Sequence, residues 1–278
     1  MNSELGPKIG EGNGSDVYAW GSNKVIKLAK PNTNLYAIQR EYENHCLVWE
    51  KGLSVPQPFE IKEIDGRLGI LYERIKGESL LGRYVNQAMS GPVSDEERMR
   101  NIRTNACITA EWLYGVHQHS CLKLPSQREI MKFVIGRADC ITVHEKDAVL
   151  ALLERLPVKQ QLCHGDPNPG NIMIRNGRIF AIDWLNAAIG NPEADIAEYI
   201  ITMKYAELPA YLPGESANYI NGLREASVEH FVHEYSSLSG ITFEEINSWI
   251  APVAACKLSA DIGAEERARL LHDIRTRL

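Results

Sequence analysis

The sequence predicts an α+β chain in two parts: an N-terminal five-stranded antiparallel sheet with one main helix, and a mostly helical C-terminal part. Three observations carry this. Short β-forming runs bounded by turn residues fill positions 1–73, with Asp65-Gly66 as a strong hairpin signal. One long helical run, Asn34 to Lys51, interrupts them. After Arg74-Ile75-Lys76-Gly77-Glu78 the pattern changes to helical spacing and stays there for most of the remaining chain. At 278 residues there is ample sequence for two lobes.

The first strand is expected over Leu5–Glu11 and the second over Asp16–Trp20, with Gly10-Glu11-Gly12-Asn13-Gly14-Ser15 between them. Glycine lets a backbone turn sharply and approach a ligand closely, so the amides of Gly12, Asn13, Gly14 and Ser15 can face a phosphate. An ordinary glycine-rich hairpin uses the same residues. The loop is no Walker A sequence, since no Gly-Lys-Ser/Thr follows. It is closer to G-x-G-x-x-G-x-V through Gly10, Gly12 and Val17, with Ser15 at the third glycine position.

Lys24–Ala29 reads as a third strand, and alternation puts Val25, Lys27 and Ala29 on one face. A lysine on an otherwise apolar face is costly without an anionic partner. Lys27 is therefore the candidate phosphate-binding cation. The helix that follows carries Ile38, Tyr42, His45 or Cys46, and Trp49 on its apolar face. Glu41 lies close to that face and can turn inward to Lys27; Glu43 competes for the role, with Glu50 more distant. Val55-Pro56-Gln57-Pro58 is a rigid connector to the hairpin strands Phe59–Ile64 and Arg67–Glu73.

Past the break at 74–78, Ser94 caps an acidic first turn and a helix running to about His117. Further helices are expected over Ser126–Ala138 and His144–Leu156, and Pro157 ends the second. Others follow Gly190-Asn191-Pro192 and lie near Ala217–Ser237, Phe243–Ala260 and Ala264–Arg277. His117 and His119 read as structural.

The stretch that carries chemistry is Leu162-Cys163-His164-Gly165-Asp166-Pro167-Asn168-Pro169-Gly170-Asn171-Ile172-Met173-Ile174. It reads as strand, polar loop, strand. After the Asn176-Gly177 turn, Ile179–Trp184 continues as a strand with Asp183 at its end. Phosphoryl transfer from a nucleotide needs a base for the acceptor hydroxyl and oxygen ligands for Mg²⁺. Asp166, Asn171 and Asp183 supply those groups in that order. The competing reading is a surface hairpin whose Asp and Asn only make turns.

Composition narrows the partners. A net charge of −6 argues against non-specific nucleic-acid binding, which wants a basic face. The six cysteines are scattered without a C-x-x-C pair, as expected for reduced thiols of a cytoplasmic protein, and they offer no zinc spacing. The N-terminus has neither basic n-region nor apolar h-region, and no apolar run spans a bilayer, so neither a signal peptide nor a membrane partner is expected.

His164-Gly165-Asp166 with Asn171, Ile182-Asp183-Trp184, and Gly190-Asn191-Pro192 with Asp195-Ile196-Ala197 together resemble the aminoglycoside phosphotransferase/choline kinase family of small-molecule kinases. The resemblance implies a bilobal protein-kinase-like fold: a nucleotide-binding lobe over 1–73, a hinge over 74–78 and a helical lobe over 79–278 holding the catalytic loop and acceptor pocket. It implies Asp166 as the catalytic base, Asn171 and Asp183 as Mg²⁺ ligands, and Lys27, held by Glu41, on the nucleotide phosphates. The adenine would pair with backbone at Glu73 and Ile75. Asp195 would accept backbone N–H groups of the catalytic loop, and His164 would orient that loop. The nucleotide would be ATP, with GTP equally compatible with the hinge sequence, and the acceptor a small hydroxylated molecule. The alternatives are a pseudokinase-like regulatory module and a protein kinase. Gly165 replaces the arginine of H-R-D, and the run from Asp183 to Asp195 leaves no room for an activation loop.

Overall fold

The computed structural model describes residues 4–12, 14–31, 33–90, 94–208 and 213–278. The chain divides into two compact units, one of Met1–Ser79 with Asn171–Asn186, the other of Leu80–Gly170 with Ala187–Leu278.

The first unit is built on an antiparallel sheet of β1 (Leu5–Glu11), β2 (Ser15–Trp20), β3 (Lys24–Ala29), β4 (Pro58–Ile64) and β5 (Arg67–Glu73), in the order β1-β2-β3-β5-β4. Asp65 and Gly66 both take positive φ, 49° and 76°, the backbone a tight two-residue hairpin requires. Alternation sorts β3 between two apolar clusters: Ile26 and Leu28 join Trp20, Ile64 and Leu71, while Val25 and Ala29 join Ile38, Ile70 and Tyr72. Ile38 belongs to α1 (Leu35–Glu50), whose N-cap Asn34 accepts the Tyr36 N–H. The packed face of α1 is Ile38, Glu41, Asn44, His45 and Val48. Trp49, expected on that face, is 43% exposed. The helix turns a largely polar face inward, and apolar spacing alone misplaces its orientation.

Residues 171–186 join this unit through backbone pairing. β6 (Glu78–Ser79) pairs with β8 (Ile172–Arg175), which pairs with β9 (Arg178–Ala181) across a turn with Asn176 and Gly177 at positive φ. The Ala181 N–H also donates to the Ser54 carbonyl at 3.0 Å. β9 ends at Ala181, before Asp183, where extension to Trp184 was expected. Asp183 instead takes φ 64°, which no strand residue can hold.

The second unit is mainly helical: α2 (Leu80–Met89), α3 (Asp95–His117), α4 (Gln127–Gly136), α5 (Val143–Arg155), α6 (Pro192–Tyr205), α7 (Gly214–Ser239), α8 (Phe243–Asn247), α9 (Ile250–Lys257) and α10 (Ala264–Arg277). β7 (Gln161–Cys163) pairs with β10 (Ala188–Gly190). The core gathers Leu113, Ile135, Leu153, Tyr199, Phe231, Tyr235 and Trp249, each worth about 1.5–3 kcal/mol on burial. α2 has no counterpart in the sequence reading; it is short, carries Gly82, and buries only Leu80 and Tyr84. The expected helix over Phe243–Ala260 is two, because Pro252 has no N–H for the Ser248 carbonyl. The chain restarts at Ile250 and places that proline in the first turn of α9. Among the described residues no helix is long and apolar enough to cross a membrane.

Two glycines test this packing from opposite sides. A Cβ at Gly77 would lie 2.2 Å from the Ile174 carbonyl oxygen, whereas one at Gly115, in α3, would meet nothing within 4 Å. Gly77→Ala is expected to cost more than about 2 kcal/mol in urea unfolding. Gly115→Ala is expected to gain about 0.5–1 kcal/mol.

Candidate active site

In the first unit the site is built around Lys27. Its Nζ donates to Glu41 Oε1 at 2.8 Å and lies 3.1 Å from Asp183 Oδ1. Burial opposes the lysine's charge, but the carboxylates of Asp183 and Glu41 outweigh it and hold the ammonium above its ordinary pKa. Burial, with Asp183 nearby, pushes the Glu41 carboxyl up even though Lys27 pulls it down. One cation thus faces two carboxylates. Tyr72 donates its hydroxyl to the same Glu41 oxygen at 3.2 Å. Glu43 instead accepts from Gln39, one turn away on the helix surface, and Glu50 is exposed.

Asn171 precedes β8 and Asp183 follows β9. Ile172 pairs with Ala181, and the Ile182 N–H donates to the Asn171 carbonyl at 2.9 Å, so the register brings the two residues close. Asp183 keeps 37% of its side chain exposed. A carboxylate and a carboxamide are hard oxygen donors, and the surplus negative charge around Lys27 suits a divalent cation such as Mg²⁺.

The glycine-rich turn is held from one side. The Gly12 N–H donates to the Ser15 carbonyl at 2.8 Å, and the Gly14 carbonyl accepts from Lys30 N at 2.9 Å and Thr33 Oγ1 at 2.7 Å. Ser15 is 8% exposed at the start of β2. Asn13 lies outside the described residues. In the expected hinge the Glu73 N–H is committed to the Gln57 carbonyl, and the Ile75 carbonyl accepts the Gly77 N–H.

In the second unit Asp195 organises the loop that follows β7. Buried on α6, it accepts the N–H of His164 at 2.6 Å on Oδ2 and of Gly165 at 3.0 Å on Oδ1. His117 Nε2 adds a contact at 3.3 Å, and its Nδ1 meets the Tyr235 hydroxyl at 2.6 Å. Gly165 takes φ 79°, a left-handed backbone that suits glycine where H-R-D sequences carry arginine. His164 Nδ1 accepts the Asp166 N–H at 3.2 Å. Asn168 donates to Asp166 Oδ1 at 2.9 Å and accepts the Gly170 N–H at 2.8 Å, joining the carboxylate to its own loop. Glu198 on α6 and Lys257 on α9 pair beside Thr202, and both feel the charge of Asp166.

His117, Cys163 and Asp195 place ligand-type atoms within 4.8 Å of one another. Both Asp195 oxygens already accept backbone N–H groups, and burial, then the nearby carboxylates, hold the Cys163 thiol well above its ordinary pKa. The cluster reads as loop support rather than a metal centre. Asn168, Lys257 and Asn44 are site residues that sequence reasoning passed over. Asn44 left a trace: a carboxamide on the inward face of a helix asks for a partner just as Lys27 does on its strand.

Residues 116–228 match the model of the phosphotransferase enzyme family. No curated protein shows significant sequence similarity to the chain. Similar solved structures include aminoglycoside phosphotransferase APH(4)-Ia with AMP-PNP and hygromycin B, 14% identical over 99% of this chain and 94% of that one, TM-score 0.65. An amicoumacin kinase with AMP-PNP and Ca²⁺ is 15% identical over 99% and 88%, TM-score 0.61. A type VIII aminoglycoside-3'-phosphotransferase is 18% identical over 90% and 91%, TM-score 0.58. The fold is protein-kinase-like, and the chain resembles aminoglycoside phosphotransferases and related small-molecule kinases.

Asp195→Ala leaves two backbone N–H groups and His117 without their shared acceptor. It is expected to lower unfolding stability by about 2–5 kcal/mol in urea titrations. A loss below about 1 kcal/mol would contradict the support role.

Proposed function

We propose that the chain is a Mg-ATP-dependent phosphotransferase that moves the γ-phosphoryl group to a hydroxyl of a small molecule. The observation that carries this is the Lys27 ammonium held between Glu41 and Asp183, with Asn171 brought to the same region by strand register. In a nucleotide site a lysine so fixed contacts phosphate oxygens, and Asn171 and Asp183 hold Mg²⁺, which when bound neutralises charge on those phosphates. The glycine-rich turn of Gly12 to Ser15 covers the phosphates, with the Gly12 N–H spent on closing the turn at the Ser15 carbonyl, and backbone at Glu73 and Ile75 receives the base, either adenine or guanine.

Asp166 is assigned the base that orients the acceptor hydroxyl and takes its proton. His164 Nδ1 accepts the Asp166 backbone N–H and Asn168 donates to the carboxylate itself, which together suit a carboxylate that must meet the acceptor in one geometry. The family match and the fold support this small-molecule kinase reading. Two of the similar structures hold a nucleotide analogue together with a small molecule, hygromycin B in one of them. The acceptor class is accordingly an aminoglycoside-, choline- or sugar-like alcohol. The short run from Asp183 to Asp195 disfavours a protein acceptor.

A screen of ADP release over amino sugars, amino alcohols and sugars tests the activity, with Mg²⁺ required. In Asp166→Asn, turnover of the acceptor found should fall about 10²–10⁴-fold while nucleotide binding persists. Unchanged turnover would remove Asp166 from the role of base. Nucleotide binding with no phosphorylated product would leave a pseudokinase-like module.

A further inference from the structure

Asn44 sits on the inward face of α1, one turn beyond Glu41, and is 5% exposed. Its Nδ2 donates to two successive carbonyls, Trp184 O and Leu185 O, each at 3.1 Å. These are the carbonyls of the first two residues after Asp183. Trp184 is fully buried and donates its indole N–H to the Ala181 carbonyl at 3.3 Å, which leaves the segment little freedom to shift sideways.

The backbone on the Asp183 side is strained. A non-glycine residue at φ 64° persists only where its surroundings hold it, and among the described residues only Asp65, Asn176 and Asp183 share such a backbone without being glycine. Asp65 and Asn176 sit in hairpin turns whose geometry demands it. Asp183 does not; it leaves a strand end and must be held by contacts further on. Asn44 supplies them. Removing its amide would take away the donor shared by the Trp184 and Leu185 carbonyls, and the segment could relieve the Asp183 backbone by moving.

The helix that carries Asn44 is itself anchored. His45 Nε2 donates to the Pro56 carbonyl at 2.7 Å, and its ring packs on Tyr72 at 4.7 Å between centroids. Tyr72 donates to Glu41, which receives Lys27. One helical face therefore sets both partners of the site: Glu41 fixes the ammonium from its side chain, and Asn44 fixes the carboxylate through the backbone that follows it.

We infer that Asn44 is a positioning residue for Asp183, setting the affinity of the Mg-nucleotide site without touching cation or nucleotide; this rests on the kinase reading above. The test uses the full chain and a fluorescent ATP analogue, titrated with Mg²⁺ and without any acceptor. Asn44→Ala should raise the Mg²⁺ concentration at half-maximal nucleotide binding by about tenfold, the usual scale for a residue that orients a metal ligand. Binding without Mg²⁺ should be unchanged. Asn44→Asp keeps the shape but turns a carboxylate toward two carbonyls, so it should shift the midpoint at least as far. Hydrogen exchange in the protein without nucleotide or Mg²⁺ should rise at residues 182–186 in both variants, with strands β2 and β3 still protected. A wild-type Mg²⁺ midpoint retained in folded Asn44→Ala and Asn44→Asp overturns the inference alone. Wild-type protein that binds nucleotide without regard to Mg²⁺ overturns the kinase reading and the inference together.

Discussion

A single ammonium shared by two carboxylates is the constraint around which the first unit is arranged. Lys27 sits on a strand face whose other members, Val25 and Ala29, pack into an apolar cluster with α1. Such a face excludes a lone charge, so it exists only because Glu41 arrives from the helix and Asp183 from the segment after β9. Each carboxylate comes from a different stretch of sequence. The ion pairs consequently tie together β3, α1 and the 171–186 segment, and stability and site geometry rest on the same atoms. The surplus of one negative charge is what a structural ion pair avoids and a cation-binding site uses.

The second unit solves a different problem with a different group. The loop after β7 turns sharply at Gly165, which leaves the N–H groups of His164 and Gly165 turned away from any strand partner. Asp195 takes both. Because those donors are backbone, the loop's path is fixed independently of its side chains, and His164 and Asn168 are left to fix Asp166. Main-chain anchoring of the loop by Asp195, with the Asn168 side chain bonding the carboxylate, holds Asp166 within a narrow range of orientations.

The strands of the first unit were legible because alternation and the Asp65-Gly66 and Asn176-Gly177 turns speak through local chemistry. The face of Lys27 followed from alternation too. Glu41 over Glu43 followed from its place beside Ile38, but the full rotation of α1 did not: an apolar count pointed Trp49 inward, where the helix in fact presents Asn44. A face designed to meet polar partners is invisible to a method that searches for apolar ones. The break before α9 was written in Pro252, but the unbroken apolar run around it hid the missing N–H. α2 left little to read: two buried side chains and a glycine.

Asp183 shows why the remaining part of the site resisted sequence reasoning. As a strand-end carboxylate, its direction would follow from alternation with its neighbours. At φ 64° it no longer obeys that rule. A left-handed residue costs of order 1–3 kcal/mol for most side chains, and aspartate tolerates it better than nearly all but glycine and asparagine. The sequence names an aspartate at this position; it does not say that the backbone is bent there, since the forces that bend it come from Lys27, fourteen residues before Glu41, and from Asn44, three residues after it. Chemistry that depends on a strained residue is set by its distant supports, and those become visible only when helix, strand and loop are seen packed together.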